Sequence, residues 1–155
     1  MTFQIIPLEK KDFDPLFDLD DDQLKARGAL RMVAEEKPGY PCRTSLQDAE
    51  IGETVILLNY EHLTVDTPYC SKAAIFVRKD AGQARLDVDE IPQSFLDRIV
   101  AMRAFDDRGM MVDADIAEGP DQAKLIDRLL EIPQVDYLHL HWAKFGCYAA
   151  KVVRA

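Results

Sequence analysis

Val135-Asp-Tyr-Leu-His-Leu-His-Trp142, then Ala143-Lys-Phe-Gly146, then Cys147-Tyr-Ala-Ala-Lys-Val-Val153 follow one another near the C-terminal end of the chain. The outer pieces are rich in aromatic and β-branched residues, and the middle piece ends in a glycine that can take positive φ. The spacing predicts an antiparallel hairpin. Side chains alternate across a strand, so Leu138, Leu140 and Trp142 share the face expected to meet the core. Tyr137, His139 and His141 share the other.

The same reading extends outward. Val100 to Phe105 and Met110 to Ile116 flank Asp106-Asp107-Arg108-Gly109 as a second hairpin. Thr54 to Tyr60 contains the continuous run Val55-Ile56-Leu57-Leu58, which predicts a strand covered on both faces. Ala73 to Arg78 is a further strand, reached through a loop from His62 to Lys72. Phe3 to Leu8 reads as a first strand and Ala29 to Ala34 as a weak one. Asp20 is placed to cap a short helix, with Gln23 completing a capping box, Leu19 stapling onto Leu24 and Gly28 ending it. Ile91 to about Ile99, with Pro92 in its first turn, predicts a second helix. Gly119-Pro120 to about Leu130 predicts a third, striped by Leu125, Ile126, Leu129 and Leu130. Strands outnumber helices, and most loops are too short for parallel crossovers. The expected architecture is α+β: a mixed, mainly antiparallel sheet with two or three helices packed on one side. No repeat or linker is visible, so residues 1–155 are expected to form a single domain.

The chain carries 28 acidic against 19 basic residues, a net charge of −9. That field repels phosphate backbones and anionic lipid, which argues against nucleic-acid or membrane partners. No apolar run approaches the roughly 20 residues of a bilayer span. The opening Met1-Thr-Phe-Gln-Ile-Ile-Pro-Leu8 has no basic n-region and too short an apolar stretch for a signal peptide. Three cysteines is an odd number, without CxxC spacing. A reducing compartment, the cytoplasm, is expected. Oligomeric state is not readable. The signatures GxGxxG, GxSxG, HExxH, the Walker loop and the EF-hand loop are all missing, which removes most of the support for nucleotide and serine-hydrolase readings.

His139 and His141 are the sharpest chemical feature. Two imidazoles on one strand face can bind one metal, and His62 is the third histidine of the chain. Three histidines with an open fourth position would be a catalytic zinc or iron arrangement. The plainer reading has them as hydrogen-bonding neighbours on a half-exposed face. Asp113 and Asp115 repeat the geometry with carboxylates, suited to a hard cation if enclosed and to solvent if not. Met110, Val112, Ala114 and Ile116 then take the core face, with Arg103 across the hairpin as the partner of the two acids. Cys147 follows Gly146, close along the chain to His141, an arrangement that suits a cysteine nucleophile with a histidine base. Cys42 lies beside Arg43, whose charge would favour its thiolate; buried cysteines more often serve as small hydrophobes. Arg43, Arg78 and Arg103 are the arginines expected to face inward, where each pairs with an acid or serves a small anionic molecule; Arg43 and Arg78 are the candidate contacts at the pocket, with Tyr40 and Tyr69 on loops above.

Several stretches occur together and in order: Lys37-Pro-Gly-Tyr-Pro-Cys-Arg43, Ser45-Leu46 with Asp48-Ala49, Gly52-Glu53, Leu57-Leu-Asn-Tyr-Glu-His62, Pro68-Tyr69, Ile75-Phe-Val-Arg78, Gly109-Met-Met-Val-Asp-Ala114, Tyr137-Leu-His-Leu-His141 and Gly146-Cys-Tyr-Ala-Ala150. In these the chain resembles a bacterial family described as domain of unknown function 1203, over essentially its whole length. The resemblance implies a bacterial protein of about this size and assigns no activity or catalytic residue. From the residues alone, two functions stay open. One is a small-molecule enzyme or binding protein with a pocket lined by His62, His139, His141 and Cys147. The other is a non-catalytic protein–protein interaction domain whose histidines are structural.

Overall fold

The computed structural model describes residues 1–155. Its strands are β1 (Phe3–Ile6), β2 (Ala29–Val33), β3 (Thr54–Leu63), β4 (Ser71–Arg78), β5 (Ile99–Phe105), β6 (Met111–Glu118), β7 (Tyr137–Trp142) and β8 (Tyr148–Arg154). Its α-helices are α1 (Asp21–Ala26), α2 (Gln93–Leu96) and α3 (Asp121–Leu130), with short 3-10 turns at Lys10–Asp12 and Asp14–Asp18. The fold is α+β and dominated by antiparallel sheet, as the patterning indicates. The strands form a five-stranded sheet, in the order β1-β8-β7-β5-β6, and a three-stranded sheet, β2-β3-β4. The chain divides into two compact units. The first comprises Met1–Ile6, Glu61–Ala73 and Arg85–Ala155, and the second Pro7–Tyr60 and Ala74–Ala84.

The first unit is built on the two hairpins. Gly146 turns the chain between β7 and β8 at φ +77°, and Gly109 turns it between β5 and β6 at φ +83°. Val100, Met102, Ala104, Leu138, Leu140 and Val152 are buried on one sheet face, where each large aliphatic side chain contributes about 1.5–3 kcal/mol. Helix α3 covers β5, β6 and β7 on that face, with Leu125, Ile126, Leu129 and Leu130 buried. The buried Gln122 amide donates to Phe95 O at 2.6 Å and Arg98 O at 3.0 Å, fixing α3 against the end of α2. Trp142 packs on Phe95, with ring centroids 4.5 Å apart. Leu138, Leu140 and Trp142 therefore meet the core, and the histidines take the other face.

In the second unit, Phe13, Leu24, Ala29, Ile56, Ile75 and Val77 form a core, with Leu8, Leu16, Phe17, Leu19, Leu58 and Tyr60 packed against it. The cap of α1 is as its sequence dictates. Asp20 accepts from Gln23 N at 2.8 Å, the Gln23 side chain accepts from Asp20 N at 2.9 Å, and Gly28 sits at φ +70°.

Three expectations change. The helix predicted over Ile91 to Ile99 is only Gln93–Leu96, because Ile99 opens β5 by pairing with Glu118. Strand β3 runs to Leu63, so His62 lies on a strand and not on the following loop. The faces of β6 are reversed: Val112 is 38% and Ile116 62% exposed, while Asp113 and Asp115 face α3 and bind Arg128 at 3.1 Å each. Arg103 is directly opposite Ala114 and so is on the other face from both acids. Alternation sorts residues onto two faces without saying which one a helix covers.

Candidate metal centre

The candidate site belongs to the first unit. β7 places His139 and His141 on the sheet face opposite α3, and Glu61-His62-Leu63 at the end of β3 brings the third imidazole over them. One ring nitrogen from each of His62, His139 and His141 lies within 4.8 Å of the other two. The His62 ring centroid is 5.7 Å from that of His139 and 5.2 Å from that of His141. Tyr148, buried on β8, stacks on His62 at 4.9 Å with planes 6° apart, and meets His139 edge-on at 4.9 Å.

His139 is 4% and His141 1% exposed, and His62 is half-buried. Burial pushes His139 down to about 3, helped by His62, His141, Lys151 and Arg103. Burial and Arg103 push His62 down to about 4. Both rings are therefore neutral at pH 7 and each keeps a lone pair. His141 Nδ1–H donates to Gly146 O at 3.0 Å; a carbonyl can only accept, so in the neutral ring the lone pair is on Nε2. A ring nitrogen held by a backbone carbonyl is the usual support for a histidine ligand. His62 Nδ1 and His139 Nδ1 are buried with no hydrogen-bond partner. Either tautomer leaves such an atom unsatisfied, at a cost of about 1–3 kcal/mol.

Tetrahedral zinc at about 2.0–2.1 Å from each nitrogen brings ligand atoms to about 3.3 Å from one another. Closing the trio to that spacing takes side-chain shifts of about an ångström. The donor set, three imidazoles, suits zinc or iron and is unsuited to magnesium or calcium.

The other candidate residues are distributed as follows. Cys147 is half-buried on the turn beside His141, and its carbonyl accepts from Trp142 N at 3.0 Å. Tyr69, in the first unit, packs edge-on against Phe105 at 6.1 Å. Arg43, Arg78 and Tyr40 belong to the second unit. Arg78 makes a two-pronged contact with Glu53, Nε to Oε2 at 2.8 Å and Nη2 to Oε1 at 2.5 Å. The buried Arg43 guanidinium donates to Pro41 O, and Tyr40 packs on Phe76. Burial pushes the Cys42 thiol up, but hydrogen bonds from Ser45 and Thr44 outweigh it, so its pKa is lowered.

A cavity of about 450 Å³ opens elsewhere in the first unit, between Asp106–Arg108, Pro133–Asp136 and Arg154. No histidine lines it. Two of its charged groups serve the fold: Asp106 accepts from Arg108 N and Met110 N at 2.9 Å each, and Arg154 binds the carbonyls of Leu130 and Val135 at and beyond the end of α3.

Sequence reasoning did not single out Tyr148, Lys151 or Arg103 as neighbours of the histidines. Their signal is cross-strand register, since Arg103 and Lys151 sit directly opposite His139 on its two sides.

No curated protein and no solved structure matches the chain. Residues 39–154 match the family model described as protein of unknown function (DUF1203), and the chain belongs to that family.

Proposed function

We propose that the chain is a metal-dependent small-molecule enzyme of the hydrolase or lyase class, with zinc or iron held by His62, His139 and His141. The observation that carries this reading is the convergence of three buried or half-buried imidazoles, two of them held neutral, with unsatisfied ring nitrogens. Held by those three residues, a divalent ion would supply Lewis-acid activation of water near neutral pH. His141 is oriented by Gly146 O, and Tyr148 fixes the His62 ring by stacking. Three free cysteines suit a reducing compartment, so the cytoplasm is the proposed location.

Zinc titration calorimetry on chelator-treated protein tests the reading. Wild type is expected to bind one equivalent. His62→Gln, His139→Gln and His141→Gln are each expected to lose about a hundredfold or more in affinity, above the losses typical of outer-shell changes. Equal affinity in all four proteins would return the histidines to packing.

One observation favours the other reading, an interaction domain. Ile116, at 62% exposure on the edge strand β6, together with the exposed Val112 and Ile99, offers an apolar strand edge to a partner. Under that reading the histidines only support the sheet, and the same titration shows no specific loss.

A further inference from the structure

We infer that Arg103 and Lys151 form an oxyanion seat beside the three histidines, for a carboxylate or phosphate group of the substrate. The inference rests on the metal reading for where the anion sits, at the position the histidines leave open. Its own support is separate.

β5, β7 and β8 are neighbours, and Arg103, His139 and Lys151 occupy directly opposed positions across them. Opposed residues of adjacent strands project from the same face. A guanidinium and an ammonium therefore flank a buried imidazole on the side where His62 closes over it. Both cationic residues are half-buried. Neither forms an ion pair, in a chain of 28 acids and 19 bases where exposed cations such as Arg128 and Lys124 do find carboxylates.

The arrangement is costly as it stands. Two half-buried cationic residues flank His139 on neighbouring strands without a counter-ion. A divalent ion on the histidines raises the local positive charge further. An anion resolves both. Arg103 supplies the fork that takes two oxygens at once, and Lys151 adds a point charge on the far side of His139. Lys151 is already placed, with Nζ 4.6 Å from the Tyr137 ring centroid, which limits the entropy lost when it engages a ligand. Of the three arginines that sequence alone suggests for this task, Arg43 is engaged by Pro41 O and Arg78 by Glu53, which leaves Arg103.

The test uses protein carrying one equivalent of zinc and no free metal, in low-chloride buffer. Inorganic phosphate and acetate are titrated separately, read by calorimetry and by the ring-proton NMR shifts of the histidines. At least one anion is expected to bind and to move those shifts, the tighter one naming the class. Arg103→Met, Arg103→Gln and Lys151→Met are each expected to weaken it about tenfold or more, while zinc affinity stays equal to wild type or rises. Comparing three variants keeps a loss of folding in one from deciding the result. Unchanged anion affinity in the folded variants, or no binding of either anion, overturns the seat. If wild type takes up no zinc, the metal reading fails, and the same titrations on metal-free protein still decide the seat by the same tenfold criterion.

Discussion

Between pH 6.5 and pH 4.5, chelator-treated protein is expected to lose folding stability through His139 alone, at a rate that rises toward about 1.4 kcal/mol per pH unit. The sign follows from which state holds the proton. In the unfolded chain His139 titrates near 6.5, whereas in the folded protein burial and the charges of His62, His141, Lys151 and Arg103 lower it to about 3. Over that window the unfolded state binds one proton more than the folded state, so stability rises with pH and is lost on acidification. His62, depressed to about 4, adds a smaller effect of the same sign because it is less buried. Trp142, the single tryptophan, lies on β7 beside His141 and reports unfolding of this unit by fluorescence. Urea titrations at pH 7, 6 and 5 on wild type and His139→Gln give the comparison. Wild type is expected to show the steeper fall, by about 1 kcal/mol per unit averaged over this range and more between pH 6 and 5 than between pH 7 and 6. Parallel slopes would mean that His139 takes up its proton in the folded state and is not held neutral.

Gly109→Ala is expected to destabilise the first unit by about 2–4 kcal/mol and to weaken zinc binding at the same time. Two costs combine. Gly109 sits at φ +83°, a left-handed conformation that disfavours any Cβ. An added Cβ would also lie 2.5 Å from Val65 Cγ1 and 2.7 Å from Val65 Cβ. Val65 and Thr67, whose hydroxyl donates to Gly109 O at 3.0 Å, belong to the segment that carries His62. Pushing that segment off the hairpin displaces the third ligand. Val65→Ala in the Gly109→Ala background is expected to recover the clash and not the backbone strain, which a double-mutant cycle separates. Full stability and full zinc affinity in Gly109→Ala would show that the contact does not hold His62 in place.

How far this site was legible in the sequence is clearest along the last hairpin. The alternation Tyr137-Leu-His-Leu-His141-Trp placed both imidazoles on one face, because the two-residue period of a strand is local geometry. Their neighbours were not legible. His141 pairs with Tyr148, but the register then shifts, so His139 faces Lys151 and not Ala150. That bulge moves Ala150 and Val152 to the α3 side and Lys151 to the histidine side, and no residue type announces it. His62 was illegible for a different reason. Leu57-Leu-Asn-Tyr-Glu-His62 loses its apolar run at Asn59, so the strand appears to stop, whereas β3 continues to Leu63. On β6 the two faces were separated correctly and assigned the wrong way round. The two acids face α3 because Arg128, thirteen residues beyond Asp115, is there to receive them. The ends of α1 were fully legible, since Asp20 and Gln23 act within its first turn and Gly28 lies directly after its last. What is local in sequence could be read, and what depends on register or on a distant helix could not.

A metal ion held by His62, His139 and His141 would show in the metal content of untagged protein purified without chelator, measured beside a His139→Ala/His141→Ala variant prepared identically. Near-stoichiometric zinc or iron in the wild type and its loss in the variant is the predicted result. Metal-free protein in both preparations, with the variant merely less stable, would contradict it and leave the three rings as part of the packing of the sheet.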